Sequence, residues 1–114
     1  MMELASAALP DQPLAFIRAC VMGLQVRWTY HSTMRLRERR ISAEMVLSAS
    51  KTFEVIESYP DDKYLPSYLV RATGGGLVLH AQFATDVAGD NVRVVTVYVP
   101  SADDWDEMFR NRRK

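Results

Sequence analysis

Apolar residues recur at helical spacing in the first half of the chain and alternate with polar residues in the second half. In DQPLAFIRACVM (11–22), apolar residues spaced three and four apart form one stripe, which consists of Leu14, Ile17 and Val21. Asp11 stands where an N-cap belongs and Pro13 where a first-turn proline belongs. The pattern predicts a short amphipathic helix over 11–22 that ends at Gly23.

Two further helical segments follow a short extended piece at 25–30. Residues 31–40 are strong helix formers without a breaker. Ser42 then stands at an N-cap position and predicts a third helix over 43–49. The first half of the chain is therefore predicted to be helical.

Four β-rich runs make up most of the second half. They are TFEVIESY (52–59), PSYLVRAT (66–73), GLVLHAQFA (76–84) and NVRVVTVYV (91–99). The pieces between them, PDDKYLP, GGG and AGDN, carry turn and hairpin signals, so consecutive strands are predicted to pair. Beyond the last run, Ser101 and Asp104 are suited to cap a short helix that reaches Phe109.

Helices followed by consecutive strands indicate an α+β fold. We predict N-terminal helices packed on a curved four-stranded antiparallel β-meander, with a short C-terminal helix. The length of 114 residues allows one domain, which we place at 11–110. Residues 1–10 are predicted to be a loosely ordered start, and 111–114 a basic tail that frays.

Composition is typical of soluble globular proteins, since 48% of the residues are hydrophobic and 25% are charged. No run of 18 apolar residues occurs, and the uncharged piece at 4–10 is too short for the apolar region of a signal peptide. We therefore expect a cytoplasmic protein without a membrane partner. The single cysteine, Cys20, is predicted to be a small buried apolar group. Trp28 and Trp105 stand at element boundaries and are predicted to lie in the core.

Positive and negative charges are balanced in number but separated along the chain. The 14 basic and 14 acidic residues give zero net charge, which excludes the strongly basic composition of a general nucleic-acid binder. Residues 31–40, however, hold four arginines against one glutamate, whereas 51–66 hold two lysines against four acidic residues. The two kinds of charged surface are therefore segregated.

Candidate chemistry centres on the two histidines. His31, Arg35 and Arg39 stand four residues apart and share one face of the predicted helix. His80 faces the more polar side of its predicted strand, away from its apolar neighbours. We therefore predict that His80 is not core filler.

Polar side chains also share faces on the first and last β-rich runs. Thr96 and Tyr98 lie on one face of the last run, and Glu57 and Tyr59 on one face of the first. The opposed face of the last run consists of Val95, Val97 and Val99. Each strand thus offers polar groups to a common cleft.

This set of side chains suits the metal-free cleavage of RNA. Two imidazoles act as general base and general acid near neutral pH, and guanidiniums bind a phosphate and stabilise its developing charge. The ribose 2′-hydroxyl is the nucleophile, so no metal and no cofactor is predicted. The two histidines stand 49 positions apart outside any ligand motif, and Asp61 and Asp62 are typical turn residues.

Several short motifs occur together in a specific order. They are HSTMRLRERRIS (31–42), IESYPDD (56–62), LH (79–80), TVYVP (96–100) and DW (104–105). With this order and spacing, roughly residues 27–110 of the chain resemble the domain-of-unknown-function 4258 family. The resemblance implies the barnase-like and RelE-like superfamily of small metal-independent ribonucleases, many of which are toxins of toxin–antitoxin pairs.

The resemblance also implies roles and partners. The implied catalytic set is His31 and His80 for proton transfer, Arg35 and Arg39 for the scissile phosphate, and Thr96 and Tyr98 for hydrogen bonds. The candidate RNA-contacting residues are Arg37, Arg40 and Tyr59. The implied partners are an RNA substrate and a cognate antitoxin, which in this family is often a small zinc-finger protein. Which histidine is the acid and which the base stays open.

The chain departs from the family at the strand histidine. The family commonly approaches this residue through Gly-Arg-Pro-Leu-His, whereas this chain has GGGLVLH (74–80). An arginine that would contact substrate is therefore absent from this position.

Two other functions fit the same residues. In the first, residues 31–40 bind an acidic protein partner and the histidines are hydrogen-bonded structural residues; the neutral net charge and the missing arginine favour it. In the second, the basic segment binds RNA with Tyr59 or Tyr98 without cleaving it, which predicts steep salt dependence. If the two histidines lie close together, catalysis is favoured. If they lie on opposite faces of the sheet, they cannot act on the same phosphate. An exposed edge strand offers a route to a homodimer.

Overall fold

Three α-helices and one five-stranded sheet form residues 8–113, the part of the chain that this computed structural model describes. The helices are α1 (Pro13–Met22), α2 (Tyr30–Arg39) and α3 (Ala43–Ser48), and a 3-10 turn (Ser50–Thr52) follows α3. The predictions for residues 1–7 and for Lys114 lie outside the described residues. Within 8–113, no helix is long and apolar enough to cross a membrane.

Each helix begins close to its predicted start. Thr29 caps α2 and Ser42 caps α3, each by accepting a hydrogen bond from a backbone amide in the first turn. The predicted Asp11 cap of α1 is wrong, because Gln12 occupies the N-cap position and makes no side-chain hydrogen bond there. Pro13 follows at the first helical position, where its fixed φ starts a helix and it has no N–H that needs a partner.

The sheet has five strands of mixed direction, in the order β1-β5-β4-β3-β2. The strands are β1 (Val26–Trp28), β2 (Glu54–Tyr59), β3 (Ser67–Gly74), β4 (Leu77–Asp86) and β5 (Asn91–Tyr98). Strands β2 to β5 form the predicted antiparallel meander. The prediction of four strands is wrong, because β1 joins the sheet parallel to β5.

The added strand, β1, lies at one edge of the sheet. It consists of three residues, and a run this short has too little alternation to predict a sheet partner. It pairs only with residues 92–94 of β5. Beyond Val94 the same edge of β5 is open to α2, which packs along that strand. This opening brings the last turn of α2 to the sheet.

A two-residue turn at Gly75 and Gly76 joins β3 to β4, as the GGG signal predicts. Both glycines have left-handed backbone, with φ of 60° and 77°. Residues with a side chain adopt this conformation only at an energetic cost. The turn fixes the register of the hairpin, in which Arg71 pairs with His80.

One face of the sheet forms the hydrophobic core with the three helices. The alternation of β4 is as predicted, because Leu79, Ala81 and Phe83 all belong to this core. Cys20 is buried in it, as predicted, whereas Trp28, which is predicted to lie in the core, is only partly buried at its margin. The opposite face of the sheet, which we name the outer face, carries the alternate residues of the same strands.

The chain beyond β5 does not form the predicted helix to Phe109. Residues 101–113, which we name the C-terminal segment, fold into consecutive turns, and Trp105 forms an isolated antiparallel bridge with Arg112. The φ of Phe109 is 57°, which is incompatible with a continuing right-handed helix. The C-terminal segment instead folds back across the outer face.

Candidate functional site

His80 lies at the centre of the outer face and is completely buried. Its Nε2 atom is 2.8 Å from the carbonyl oxygen of Phe109, and its Nδ1 atom is 3.2 Å from the hydroxyl oxygen of Tyr98. Because a carbonyl only accepts, Nε2 carries the proton and donates it, and Nδ1 accepts from Tyr98. The ring of Trp105 meets the imidazole edge-on, with 4.4 Å between ring centroids. Trp105 is therefore buried as predicted, but on the outer face.

Burial holds the pKa of His80 below its usual value of 6.5, and it is the largest influence on that pKa. The positive charge of Arg71 and that of Arg112 lower the pKa further. The hydrogen bond to Phe109 and the negative charge of Glu57 act in the opposite direction. The imidazole is therefore neutral at physiological pH in this arrangement.

Arg71 places a guanidinium beside His80 from the neighbouring strand. The two residues are register partners in the β3–β4 hairpin, and only 8% of Arg71 is exposed. The Nε atom of Arg71 donates to the carbonyl oxygen of Met108 at 2.8 Å. The segment GGGLVLH contains no arginine before His80. Strand β3 instead places Arg71 next to this histidine.

Glu57 lies on β2 at the rim of the outer face and forms an ion pair with the C-terminal segment. Arg112 donates from Nε to one carboxylate oxygen at 2.8 Å and from Nη2 to the other at 3.1 Å. Tyr59 donates its hydroxyl proton to the same carboxylate. The hydrogen bonds from Arg112 hold the pKa of Glu57 below its usual value, so the group is ionised.

A second ion pair joins the C-terminal segment to β2. Arg110 donates to the two carboxylate oxygens of Glu54 at 2.8 and 3.0 Å. Arg113, in contrast, donates to the carbonyl oxygen of Ala102 inside the C-terminal segment. The sheet therefore holds this segment through Arg110 and Arg112, the second of which belongs to the predicted basic tail.

Arg39, in the last turn of α2, reaches the outer face at its β5 edge. Its Nη1 atom donates to the hydroxyl of Thr96 at 3.1 Å and to the carbonyl oxygen of Val97 at 2.7 Å. Thr96 and Tyr98 share this face, as predicted, and Tyr98 contacts His80. Four of the predicted site residues, Arg39, Thr96, Tyr98 and His80, therefore form one row across the sheet.

The other predicted site residues on and next to α2 lie away from His80. His31 is exposed in the first turn of α2, about 12 Å along the helix axis from Arg39. Arg35 is half-exposed, and its Nη1 atom is 3.5 Å from a carboxylate oxygen of Glu38. Arg37 and Arg40 are also exposed, whereas Tyr59 lies on β2, where it is hydrogen-bonded to Glu57. One of the two histidines therefore joins the row, and the other lies at the far end of α2.

A β-bulge changes which residues of β5 face outward. The register of β5 against β4 skips Val95, which lies between Val94 and Thr96 without a partner. The predicted alternation that groups Val95 with Val97 is therefore wrong. Val97 is buried in the core, whereas 46% of Val95 is exposed.

A cavity of about 340 Å³ opens beside the bulge. It is lined by Thr29, Asp62, Tyr64, Leu65, Ala84, Arg93, Val94 and Val95. Ala84 lies four residues along β4 from His80 and on the same face, about 13 Å away at the rise of a strand. The cavity therefore continues the outer face beyond the row.

Sequence patterns alone assign no role to Arg71, although a usable signal exists. Counting outward from the Gly75-Gly76 turn along both strands places Arg71 opposite His80. No comparable signal exists for the C-terminal segment, because local pattern does not encode where an irregular segment folds back. Within residues 8–113, no group of three or more His, Cys, Asp or Glu side chains is arranged to hold a metal ion.

Comparisons with known proteins bear on the strands and on α2. No curated protein and no solved structure matches the chain. The family model described as "Domain of unknown function (DUF4258)" matches residues 28–99. The matched range contains α2 and strands β2 to β5, with the row from Arg39 to His80, and it ends before the C-terminal segment. The chain therefore belongs to the DUF4258 family.

Proposed function

We propose that the protein is a metal-independent endoribonuclease whose reaction takes place on the outer face, between Glu57 and His80. One observation carries this proposal: a carboxylate, an imidazole and two guanidiniums converge on one face of the sheet. The guanidiniums belong to Arg39 and Arg71, and the charge of Glu57 acts on the pKa of His80. RNA cleavage through the 2′-hydroxyl needs a proton acceptor, a proton donor and cations, and it needs no protein nucleophile.

In the proposed reaction, the carboxylate of Glu57 takes the proton of the ribose 2′-hydroxyl. The 2′-oxygen attacks the adjacent phosphorus, and the bond from phosphorus to the 5′-oxygen breaks. The leaving 5′-oxygen takes a proton from the imidazolium of His80. The products are a 2′,3′-cyclic phosphate and a 5′-hydroxyl.

The pKa values of the two groups fit these roles. Glu57 is ionised at neutral pH both at its usual pKa of 4.5 and at the lower value that Arg112 imposes. His80 suits the donor role once it is uncovered, because uncovering removes the burial that lowers its pKa. The charge of Glu57 then favours the imidazolium.

Neighbouring nucleotides have candidate contacts on both sides of the proposed reaction site. Arg39 lies at the end of the row with its guanidinium held at Thr96, where it suits an adjacent phosphate. The ring of Tyr64 at the cavity is 78% exposed and suits base stacking. His31, on the exposed basic face of α2, stays a prediction as a residue that contacts RNA or transfers protons.

The resemblance to barnase-like and RelE-like ribonucleases supports the proposal and extends it to the role of the protein in the cell. We propose a growth-arresting toxin that acts on cellular RNA and is neutralised by a cognate antitoxin. The exposed Arg35 and Arg37 of α2, with Arg40 directly after it, suit an acidic surface of such a partner. A small zinc-finger protein is the partner that the resemblance favours.

The test is cleavage of mixed-sequence RNA in excess EDTA by the wild type and by single variants. Glu57→Gln, His80→Gln and Arg39→Gln are each expected to lower the cleavage rate about 100-fold or more. Glu44→Gln changes an exposed carboxylate on α3 and is the matched control, with an unchanged rate expected. Circular dichroism of His80→Gln checks that this buried substitution leaves the protein folded.

Two results would contradict the assignment. Intact RNA after incubation with folded wild-type protein would contradict the ribonuclease. If His31→Gln loses cleavage and Glu57→Gln keeps full activity, the proton-transfer residues are His31 and His80, as the sequence predicts, and Glu57 is not one of them.

A non-catalytic interaction domain is the second candidate, and the complete burial of His80 favours it. With both ring nitrogens bonded, His80 fastens the C-terminal segment to the sheet. The exposed basic face of α2 is then the binding surface for an acidic protein. Intact RNA in the cleavage test, together with no binding of RNA, would select this candidate.

A further inference from the structure

Two successive backbone carbonyls of the C-terminal segment occupy the cationic centre of the outer face. The Met108 oxygen accepts from Nε of Arg71, and the Phe109 oxygen accepts from Nε2 of His80, both at 2.8 Å. The two donors are direct neighbours across the β3–β4 hairpin. Neighbouring donors that hold two oxygens in this way suit a phosphodiester group, with Arg71 at a non-bridging oxygen and His80 at the leaving 5′-oxygen.

We propose that Arg71 and His80 form a subsite for a phosphodiester group, which the C-terminal segment closes by placing its own carbonyl oxygens where the phosphate oxygens bind. This inference rests on the proposed ribonuclease function. It adds Arg71 as a phosphate ligand and makes the C-terminal segment a competitor of RNA for the same position.

The charge balance around Arg71 supports an anionic ligand. Arg71 as a residue is 8% exposed, and within residues 8–113 no carboxylate lies within 4.0 Å of its guanidinium. Its register partner on β2 is Glu54, whose carboxylate is bonded to Arg110. Only its Nε atom donates a hydrogen bond there, to a neutral carbonyl, although a guanidinium has five N–H donors. Buried arginines normally have an ionised partner. Glu54 acts on Arg71 only from a longer distance, so a phosphate would supply an ionised partner in direct contact, together with further acceptors.

The conformation and anchors of the C-terminal segment support its release. Phe109, whose carbonyl faces His80, has the left-handed φ of 57°, which is unfavourable for a residue with a bulky side chain. The ion pair between Arg110 and Glu54 is 38% and 42% exposed, and pairs this exposed contribute little stability. The Arg110 anchor is therefore weak, whereas the buried ring of Trp105 and the Arg112–Glu57 pair hold the rest of the segment, and RNA competes with all of these contacts.

The experiment measures binding with an RNA that cannot be cleaved. A mixed-sequence RNA with a 2′-O-methyl group on every ribose lacks the attacking hydroxyl, and fluorescence anisotropy reports its affinity. Arg110→Gln removes an anchor outside the subsite, so we expect RNA to bind about fivefold more tightly. Arg113→Gln removes the same charge from a residue bonded inside the segment, and RNA affinity is expected to stay within about twofold of wild type.

Arg71→Gln distinguishes a role of Arg71 as a phosphate ligand from a role only as an anchor of the C-terminal segment. If Arg71 only fastened the C-terminal segment, its loss would open the face and tighten RNA binding, as Arg110→Gln does. As a phosphate ligand, its loss in the Arg110→Gln background is expected to weaken RNA binding about tenfold or more. Amide hydrogen exchange of residues 101–113 gives an independent measurement, and we expect it to rise when the RNA is added.

The inference is overturned by tighter RNA binding in Arg71→Gln, by equal binding in Arg110→Gln and wild type, or by the absence of RNA binding in every variant. Unchanged or slower exchange in residues 101–113 on addition of RNA would also overturn it. The expected binding pattern without cleavage of unmodified RNA would support the subsite and contradict the ribonuclease. Failure of the inference and failure of the proposed function are thus distinguishable.

Discussion

At the scale of single residues, the two histidines differ in burial and in hydrogen bonding. His80 is completely buried and neutral, and both of its ring nitrogens are hydrogen-bonded. His31 is exposed in the first turn of α2. Their positions in the sequence predict a polar environment for both, and the burial of His80 comes from the C-terminal segment.

The lowered pKa of His80 predicts that the folded protein loses stability in mild acid. In the unfolded chain this imidazole takes up a proton near its usual pKa of 6.5, whereas the folded protein binds that proton only at lower pH. The free energy of unfolding is therefore expected to be retained above about pH 7 and to fall as the pH drops below about 6.5. Urea denaturation at several pH values from about pH 7 to about pH 5 measures this decrease in the free energy of unfolding.

Two variants identify the group that is responsible for this fall. His80→Gln is expected to remove it, because no proton is then taken up on unfolding in this range. His31→Gln is expected to keep it. The carboxylates of Glu54 and Glu57 also have lowered pKa values, but they affect stability only at pH values near and below their usual 4.5. An equal fall in wild type and His80→Gln would assign the effect to another group.

At the scale of elements, the β3–β4 hairpin positions the candidate site. Its two-residue turn sets the register that places Arg71 opposite His80 and Leu69 opposite Gln82. A shift of one residue would turn Arg71 into the core and break the pair. The glycine turn at one end of the sheet thus determines, through the register, which side chains lie next to His80 at its centre.

Substitution at the turn is expected to destabilise the protein through backbone strain alone. In Gly76→Ala the added methyl group has nothing within 4 Å, but the φ of 77° is unfavourable for alanine. We expect a loss of about 1 kcal/mol in the free energy of unfolding, measured by urea denaturation. Gly76→Asn is the matched control at the same open position, because asparagine tolerates left-handed backbone, and its cost is expected to stay below about 0.5 kcal/mol. Equal losses in both variants would contradict the role assigned to backbone conformation.

Elements with a local pattern could be predicted from the sequence, and those that depend on distant contacts could not. The spacing of apolar residues is enough for α2 and for the four strands of the meander. Strand β1 consists of three residues and is defined by its pairing with β5. The predicted helix beyond β5 fails because Ser101 and Asp104 also suit turns, and the contacts with β2, β3 and β4 favour the turns.

At the scale of the whole molecule, the structure closes a polar sheet face with the chain's own C-terminal segment. The sequence places Thr96, Tyr98 and His80 on this face from strand alternation, and Arg39 near it from helical spacing. It gives no indication that His80 is covered, since the covering residues lie 21 or more positions further along the chain. The zero net charge of the chain gives no sign of this arrangement either. Basic side chains of the C-terminal segment pair with acidic side chains of β2 across the covered face.

The chemistry of the RNA ends produced in excess EDTA tests the central claim most directly. We predict that wild-type protein leaves 2′,3′-cyclic phosphate ends, and that Arg110→Gln forms the same ends faster because its outer face opens more readily. Fragments with 3′-hydroxyl ends would contradict attack by the 2′-hydroxyl. RNA left intact by both folded proteins would contradict the assignment of the outer face as a ribonuclease site.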